Sequence, residues 1–515
     1  MRTPYSVGRL AACATLLFAL AGCNKDLDDV TQNPTGSTGI SDAKKAELTF
    51  DFYALAGGVQ LDMFAGADPK RPVSSATISG LQPGETILAI DFRPATGQLY
   101  GVGSTSRIYV INPRTGAARA IGTAPFAPAL AGTVVGFDFN PTVDRIRLVT
   151  ADGQNLRLNP ETGTVVSVDG DINGAGGARI AAVAYTNNVA GAATTTLYDI
   201  DVAGQKLYKQ LPPNNGTLVE VGDLKLKATG NGGFDIAPGS DLALALFEVN
   251  KKPTLFTVNL ATGDARILAK YDKDLMYTGI AIPTNPVAYA VDAASNLLIF
   301  NPTNSGSTVA KPIAGLQAGE SVVGIDFRPV NGQIYAVGSA GRLYTLNASS
   351  GAATFVAALS VPLMGTSFGV DFNPVVDRLR VVSNTGQNLR INPLDGATTV
   401  DGALNPGAPA VTGAAYANNV AGTTTTTLFD IDVASDKLFR QLPPNNGTLV
   451  EVGALGVNVD AATGFDIGGS SGIAYALLSS AGRTRLYRID TATGAARALG
   501  EFGDSAQGFT IGLGF

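Results

Sequence analysis

The sequence predicts an all-β fold built from a repeated four-stranded unit. The chain is internally duplicated, and a short apolar segment recurs along it every 44–51 residues. Between these segments, short runs of alternating apolar and polar residues are bounded by Gly, Pro and Asn, as expected for strands joined by tight turns. Four-stranded units at this spacing are typical of β-propeller blades, because a single blade has two apolar faces that only neighbouring blades can cover.

The duplication is visible as two copies of one long unit. Ile90–Pro94 returns as Ile325–Pro329, and Leu211–Thr217 returns unchanged at 442–448. Within the copies, the recurring apolar segment is centred on positions 91, 138, 184, 235, 281, 326, 371, 415, 466 and 512. The sequence therefore predicts ten blades.

The ends of each copy predict how the blades close into rings. Residues 52–79 supply only three strands, and residues 509–515 supply a single strand. If residues 278–282 complete the first blade and residues 509–515 complete the strands of 287–314, two five-bladed propellers result. One ten-bladed ring is the alternative. Pro283 and Pro286 favour two rings, because proline suits a linker better than a tight hairpin.

The N-terminus is predicted to be a targeting segment. Arg2 and Arg9 precede the short apolar run Leu10–Ala21, which is too short to span a bilayer, and Leu20–Cys23 resembles the cleavage motif of a bacterial lipoprotein. We expect residues 1–22 to be a signal peptide, Cys23 to be lipidated and residues 23–45 to be a flexible tether. Residues 46–283 and 284–515 are then the two propeller domains. This arrangement predicts a protein held by its lipid on the bacterial cell envelope, either periplasmic or surface-exposed.

The composition excludes several kinds of chemistry. The 515 residues include no His and no Trp, and both cysteines lie within the first 23 residues. Catalysis by a Ser-His-Asp or Cys-His group is therefore excluded, as are histidine metal sites and disulfides in the predicted domains. With a net charge of −6 and no basic run, the chain is not expected to bind nucleic acid.

Several motifs together resemble one known family. These are Gly324–Pro329, Gly332–Tyr335, Phe372–Arg380 and Pro443–Thr448, with counterparts in the first copy. They are similar to the bacterial domain-of-unknown-function family 4394, over about residues 46–515 in two copies. The resemblance implies a secreted or surface-attached β-propeller and assigns no reaction or ligand.

Six aspartates on the predicted inner strands are candidate channel residues. They are Asp91, Asp138 and Asp235 in the first copy and Asp326, Asp371 and Asp466 in the second. Inner strands line the axis of a propeller, so three carboxylates are expected to converge in each ring. They could bind a cation or act as acid and base. Repetition in equivalent blades favours a structural role, in which each carboxylate accepts hydrogen bonds from the backbone or from an arginine of the next blade.

Eight arginines form a second candidate set: Arg93, Arg145, Arg147, Arg157, Arg328, Arg378, Arg380 and Arg390. They could clamp an anionic ligand. The interpretation that we favour from sequence is that they pair with the six aspartates.

Asp169, Asp171 and Asn173 match the first half of a calcium loop. The twelfth position, which should be Glu, is Ile180, so a solvated turn is the default expectation. Calcium remains the one cofactor considered, and no other cofactor is expected.

Two functions follow from these patterns. A non-catalytic binding or scaffold protein that presents its propeller faces to a glycan or a protein is favoured, because the repeats are even and His and Cys chemistry is missing. A glycosidase or lyase that uses channel carboxylates on an extracellular glycan is the alternative.

Overall fold

The computed structural model describes residues 48–503 and 505–515. The predicted signal peptide, Cys23 and the tether lie outside the described residues. Within them, short segments rich in Val, Ile, Leu, Tyr and Phe alternate with turns, and they form forty β-strands and three single-turn 3₁₀ helices (Pro213–Asn215, Lys273–Leu275 and Pro444–Asn446). No helix among the described residues is long and apolar enough to cross a membrane.

The strands of the first copy are β1 (Phe52–Ala56), β2 (Gln60–Phe64), β3 (Ser74–Thr77), β4 (Ile87–Phe92), β5 (Leu99–Gly103), β6 (Arg107–Ile111), β7 (Ala118–Ile121), β8 (Val135–Asn140), β9 (Arg145–Thr150), β10 (Asn155–Leu158), β11 (Val165–Val168), β12 (Ile180–Tyr185), β13 (Leu197–Asp201), β14 (Lys206–Gln210), β15 (Leu218–Asp223), β16 (Ala228–Ile236), β17 (Ala243–Val249), β18 (Lys252–Val258), β19 (Ala265–Lys270) and β20 (Tyr277–Ala281).

The strands of the second copy are β21 (Ala288–Asp292), β22 (Asn296–Asn301), β23 (Asn304–Pro312), β24 (Val322–Arg328), β25 (Gln333–Gly338), β26 (Arg342–Leu346), β27 (Ala353–Ala358), β28 (Phe368–Asn373), β29 (Arg378–Ser383), β30 (Asn388–Ile391), β31 (Thr398–Val400), β32 (Val411–Tyr416), β33 (Leu428–Asp432), β34 (Lys437–Gln441), β35 (Leu449–Ala454), β36 (Ala461–Ile467), β37 (Ala474–Ser480), β38 (Arg483–Ile489), β39 (Ala496–Phe502) and β40 (Ala506–Ile511).

These strands form ten four-stranded antiparallel sheets, which we number as blades. Blades 1–5, the first ring, are β20-β1-β2-β3, β4–β7, β8–β11, β12–β15 and β16–β19. Blades 6–10, the second ring, are β40-β21-β22-β23, β24–β27, β28–β31, β32–β35 and β36–β39. The predicted all-β fold of four-stranded blades is confirmed.

The strand pairing distinguishes the two predicted closures. β20 pairs with β1, with Ala281 opposite Tyr53, and β40 pairs with β21, with Thr510 opposite Tyr289. The innermost strands contact one another in the order β20, β4, β8, β12, β16 and back to β20, and in the order β40, β24, β28, β32, β36 and back to β40. These pairings and contacts fit two five-bladed rings. They do not fit the ten-bladed alternative, which requires β40 to pair with β1.

The register corrects one predicted position. In nine blades, the residue of the innermost strand that aligns with Asp91 is the predicted centre of the recurring apolar segment. In blade 6, the aligned residue is Thr510 and not the predicted residue 512. Residue 512 follows the end of β40. The first ring thus has Ala281 where the second ring has Thr510, and we call such equivalent residues counterparts.

Stacked blade faces form the core of each ring. Between blades 4 and 5, Ile200 and Leu207 pack with Phe234 and Phe256, all fully or almost fully buried. Blades 1 and 2 stack in the same way through Leu55 and Ile90. Burial of both faces of every sheet is the physical reason that this repeat closes on itself.

The two rings contact each other through turns of neighbouring blades. The Tyr289 hydroxyl donates to the Ala95 carbonyl at 2.9 Å, the Gly514 N–H donates to the Thr96 carbonyl at 2.8 Å and the Ser349 hydroxyl donates to the Pro141 carbonyl at 3.1 Å. The rings are therefore joined by directional contacts as well as by the chain.

Candidate functional site

The inner strands bring the six predicted aspartates together as two triads on the ring axes. Asp91, Asp138 and Asp235 each place one carboxylate oxygen within 4.8 Å of the others, and so do their counterparts Asp326, Asp371 and Asp466. All six residues are buried to 99% or more. In the described part of the chain, the two triads are the clusters of three or more acidic side chains that lie close enough together to hold a metal ion.

Each carboxylate of the first triad reaches the backbone of the next blade. The bonds are Phe139 N–H to Asp91 Oδ2 at 2.9 Å, Tyr185 N–H to Asp138 Oδ1 at 3.1 Å and Ile282 N–H to Asp235 Oδ2 at 2.6 Å. Asp91 and Asp235 also accept from the N–H of the residue that follows them. These bonds fix the register between neighbouring inner strands.

The second triad repeats this pattern and adds a hydroxyl. The bonds between blades are Phe372 N–H to Asp326 Oδ2 at 2.7 Å, Tyr416 N–H to Asp371 Oδ1 at 3.0 Å and Ile511 N–H to Asp466 Oδ2 at 2.7 Å. The Thr510 hydroxyl lies 2.8 Å from Asp326 Oδ1 and 3.0 Å from Asp466 Oδ2. It also accepts from Phe327 N–H at 3.2 Å.

One oxygen in each triad has no hydrogen-bond partner. It is Oδ2 of Asp138 in the first ring and Oδ2 of its counterpart Asp371 in the second. Buried polar atoms in folded proteins are almost always paired. The same orphan atom in both rings is therefore a feature of the repeat.

Burial shifts the acidity of both triads. It raises the pKa of Asp235 and that of Asp466 to about 7. Burial, and then the charges of triad neighbours, raise the pKa of Asp91, Asp138, Asp326 and Asp371 well above the usual value for aspartate. Three such carboxyls cannot all be ionised side by side without a compensating charge.

The arginines do not pair with the triads, so that prediction is wrong. Arg93 pairs with Asp144 and Glu161, and its counterpart Arg328 pairs with Asp377. Arg147 lies directly opposite Asp138 in the sheet, yet its guanidinium pairs with Asp169 at 2.7 Å. The reason is length: the short aspartate side chain stays at the axis with the backbone N–H groups, whereas the arginine extends towards the outer strands.

Arg147 and its counterpart Arg380 are the centres of two matching networks. The bonds of Arg147 go to Tyr185 Oη (3.3 Å), Asn155 Oδ1 (2.6 Å), Asp169 Oδ2 (2.7 Å) and Asn214 Oδ1 (2.8 Å). Those of Arg380 go to Tyr416 Oη (3.3 Å), Asn388 Oδ1 (2.7 Å), Asp401 Oδ2 (2.7 Å) and Asn445 Oδ1 (2.9 Å). With these donors engaged inside the fold, the two guanidinium groups tie the Pro-Pro-Asn-Asn loop of one blade to the blade before it.

The four remaining arginines lie at the margins of these networks. Arg157 and Arg390 each donate to both oxygens of the aspartate that the central arginine uses, at 2.6–3.0 Å. Arg145 and Arg378 donate to the backbone carbonyls of Asp144 and Asp377 at 2.8 and 2.9 Å. None of the eight arginines contacts a triad carboxylate through a hydrogen bond in the described part of the chain.

The calcium-like loop serves the same network. Asp169 is buried between Arg147 and Arg157 and is not the solvated turn expected from sequence. Burial acts to raise the pKa of Asp169, but hydrogen bonds from Arg157, Ser167 and Arg147 outweigh it and hold the pKa below its usual value. The Asn173 amide donates to the backbone carbonyls of Asp171 and Asn215, at 2.8 and 2.7 Å. The loop is thereby fastened to the neighbouring blade.

A pair of surface grooves was not foreseen from the sequence. The first, of about 670 Å³, lies on blade 5 and is lined by residues that include Asp241, Leu242, Val258, Asn259 and Arg266. The second, of about 450 Å³, lies on blade 10 and is lined by their counterparts Gly472, Ile473, Ile489, Asp490 and Arg497. No sequence motif marks these grooves, because they form from ordinary turn residues at the ends of the second, third and fourth strands.

The grooves share one cation and differ in their other charges. Arg266 and Arg497 are exposed, and neither forms an ion pair with another described residue. The first groove also contains Lys209, which lies 5.5 Å from the centre of the Tyr198 ring, and it contains Asp264. The second groove contains Arg488 in addition to Arg497.

Comparison with known proteins identifies the repeat. A family model described as a domain of unknown function (DUF4394) matches residues 60–281 and again residues 296–512. No curated protein sequence matches the chain. Among solved structures, one similar chain is the extracellular domain of a hybrid two-component system from B. thetaiotaomicron. It is 10% identical, with 88% of this chain and 72% of that chain covered, and the TM-score of 0.26 is too low to support any conclusion.

Proposed function

Because the chain belongs to the DUF4394 family in two tandem copies, a family that assigns no reaction, we propose a function from the geometry. We propose that the protein is a non-catalytic binding protein of the bacterial cell envelope, anchored by a lipid on Cys23. Its ligand is an extracellular glycan that carries anionic groups. The predicted lipoprotein signal supports the location, periplasmic or surface-exposed.

The observation that carries this proposal is the pair of matching grooves. Each ring presents one at the same place in its last blade, and both volumes fall within the range of ligand sites, about 300–1,000 Å³. Two sites at corresponding positions of two joined rings suit a repeating polymer. Once one site is bound, the second binds at a high effective concentration.

The arginine that both grooves share supports an anionic ligand, while acids also line the grooves: Asp241 and Asp264 in the first and Asp490 in the second. Arg266 and Arg497 occupy the same position in the two grooves, and their guanidinium groups are free to bind carboxylate or sulfate groups in a bidentate manner. In the first groove, Lys209 adds a second cation, 5.5 Å from the centre of the buried Tyr198 ring.

The burial of the axial carboxylates supports binding over hydrolysis. An acid–base pair must come within hydrogen-bonding distance of its substrate. The six aspartates are at most 1% exposed, and each accepts a hydrogen bond from a backbone N–H group of the next blade. A polymer could not reach them without separation of the inner strands.

The test is binding of the full-length chain, in detergent, to acidic and neutral polysaccharides fixed on a surface. We expect an acidic polysaccharide to be retained. Arg266→Glu and Arg497→Glu should each weaken binding by about 10- to 100-fold through loss of avidity, and the double variant should not bind. The matched control is Arg71→Glu, which reverses an exposed charge away from both grooves.

Two results would contradict the proposal. One is an equal affinity of the double variant and the unaltered chain. The other is the release of new reducing ends or unsaturated sugars from the polysaccharide, which would make the channel-carboxylate enzyme the better explanation.

A further inference from the structure

We propose that each ring binds one divalent cation on its axis, held by Asp91, Asp138 and Asp235 in the first ring and by Asp326, Asp371 and Asp466 in the second. Calcium is the cation that we expect, because the ligands are carboxylate oxygens on a framework of strands with no histidine or cysteine nearby. This inference is independent of the proposed glycan binding.

The geometry places three hard ligands around one point in each ring. One oxygen from each carboxylate lies within 4.8 Å of the other two. Calcium binds oxygen at about 2.3–2.6 Å, so a small inward movement of the three carboxylates brings all of them into contact with a central ion. Magnesium, at about 2.0–2.1 Å and with strict octahedral demands, requires a larger movement.

The orphan oxygens are an independent sign of a ligand. Oδ1 of Asp138 is used by Tyr185 N–H, whereas Oδ2 is buried and has no partner. Asp371 repeats this arrangement, with Oδ1 on Tyr416 N–H and Oδ2 unpaired. In a residue that is at most 1% exposed, such an oxygen needs a partner, and the described residues do not supply one.

The described part of the chain also supplies no ion-pair partner to balance these carboxylates. Arg147 and Arg380, which lie opposite Asp138 and Asp371 in the sheets, pair with Asp169 and Asp401 instead. No described lysine or arginine forms an ion pair with a triad carboxylate. Three buried carboxylates without a cationic side chain are the arrangement that a bound cation stabilises.

A narrow cavity lies beside the first triad. It is lined by residues from all five inner strands of the first ring, among them Ile90, Gly136, Val183, Gly233 and Gly279, and its volume is about 10 Å³. This is close to the space needed for one water molecule. Glycine is required there, because a Cβ on Gly233 would lie 2.3 Å from the Ile280 nitrogen. The cavity can therefore admit a dehydrated ion and nothing much larger.

Thr510 makes the second site different from the first. Its hydroxyl already contacts Asp326 and Asp466, at 2.8 and 3.0 Å, whereas Ala281 leaves the first triad without such a contact. Because a cation in the second ring has to compete with that hydroxyl for the same oxygens, we expect the first ring to bind more tightly.

The experiment uses the full-length chain, purified and then treated with chelator. Calorimetric titration with CaCl₂ should give two sites per chain, and metal analysis of the untreated chain should find up to two bound ions. Asp138→Asn and Asp371→Asn should each remove one site, and the double variant should bind none. Asparagine keeps an oxygen for the backbone N–H bond, so we expect both variants to fold. The control is Asp274→Asn, an exposed acid in a 3₁₀ helix.

The proposal is overturned if the untreated chain carries no metal and CaCl₂ produces neither heat nor a rise in melting temperature. Binding that persists in the folded double variant also overturns it. The metal analysis and the titration of the unaltered chain do not depend on how the variants fold. If neither detects a bound ion, protons alone neutralise the triads.

Discussion

The two rings share a backbone plan but satisfy their buried charges differently. Arg93 in the first ring is fully buried and pairs with Asp144 and Glu161. Its counterpart Arg328 is 9% exposed and pairs with Asp377. The residue that corresponds to Glu161 in the second ring is Leu394, which is 68% exposed.

The surroundings of the two arginines explain this difference. Arg93 faces the second ring and donates to the Gly332 carbonyl at 3.0 Å, so its turn is covered by the neighbouring domain. The hydrogen bonds of Arg328 to described residues go to Asp377 and Tyr335, both in its own ring, and none of them reaches the first ring. The two copies have therefore kept the same inner strands, whereas residues at the contact between the rings have partners that depend on what covers them.

The largest expected effect is a difference between two equivalent substitutions. Arg93→Met leaves the buried Asp144 carboxylate without an ion-pair partner and the buried Glu161 carboxylate with only Arg145, at 3.9 Å. We therefore expect it to lower the free energy of unfolding by about 3–5 kcal/mol. Arg328→Met leaves one carboxylate that is 30% exposed and can hydrate, so a loss of about 1 kcal/mol is expected. Urea unfolding of both variants measures the difference, and equal losses would show that burial at the contact between rings does not matter.

Sequence patterns could predict the strands, the blades and the closure, because these depend on local alternation and on turn residues. The axial position of the aspartates followed from the same periodicity. The partners of the arginines could not be predicted from periodicity, because Arg93 reaches Asp144 and Glu161 across 51 and 68 residues of sequence. The repeated Asp-Arg turns that contain Asp144 and Asp377 were a signal that could have been used, since acids that recur in both copies are candidate partners.

Thr510 was missed for a different reason. The sequence pattern centres the last segment on position 512, whereas pairing with Tyr289 places Thr510 on the axis. Hydrophobic alternation fixes which residues face inward but not the exact register of a strand that closes a ring from the far end of the chain. The grooves were missed because groove shape depends on how turns of three strands meet.

A second prediction concerns a feature that the rings share. Asp199 and its counterpart Asp430 are fully buried, and neither carboxyl has a hydrogen-bond partner. Burial raises the pKa of Asp430 to about 8, although the charge of Arg380 acts to lower it. The folded chain therefore holds a proton that the unfolded chain releases near pH 4. The contribution of each of these protons to the free energy of unfolding is complete below about pH 4. It falls by about 1.4 kcal/mol per pH unit as the pH rises from about 4 towards 8.

Asp430→Asn removes one such group. The free energy of unfolding should then decline less steeply between pH 5 and pH 7.5, by about 1.4 kcal/mol per pH unit. Asp199→Asn should do the same in the first ring, because burial also raises the pKa of Asp199 well above its usual value. Urea unfolding at several pH values measures the slopes. Asp395→Asn, an exposed acid, is the control and should leave the slope unchanged. An unchanged slope in both buried variants would mean that these carboxyls are ionised in the folded chain.

The smallest expected effect tests the one axial position at which the rings differ. Thr510→Val keeps the shape of the side chain but removes the hydroxyl that accepts from Phe327 N–H and contacts Asp326. Because a buried N–H and a carboxyl oxygen both lose a partner, we expect a loss of about 1–2 kcal/mol in chelator-treated protein. Thr412→Val is the matched control in the same ring, since that buried hydroxyl has no partner and its removal should be neutral or slightly stabilising. If the two valine variants unfold at the same urea concentration, the Thr510 hydroxyl contributes nothing to the axis, and the second ring stabilises its carboxylates no better than the first ring does with Ala281.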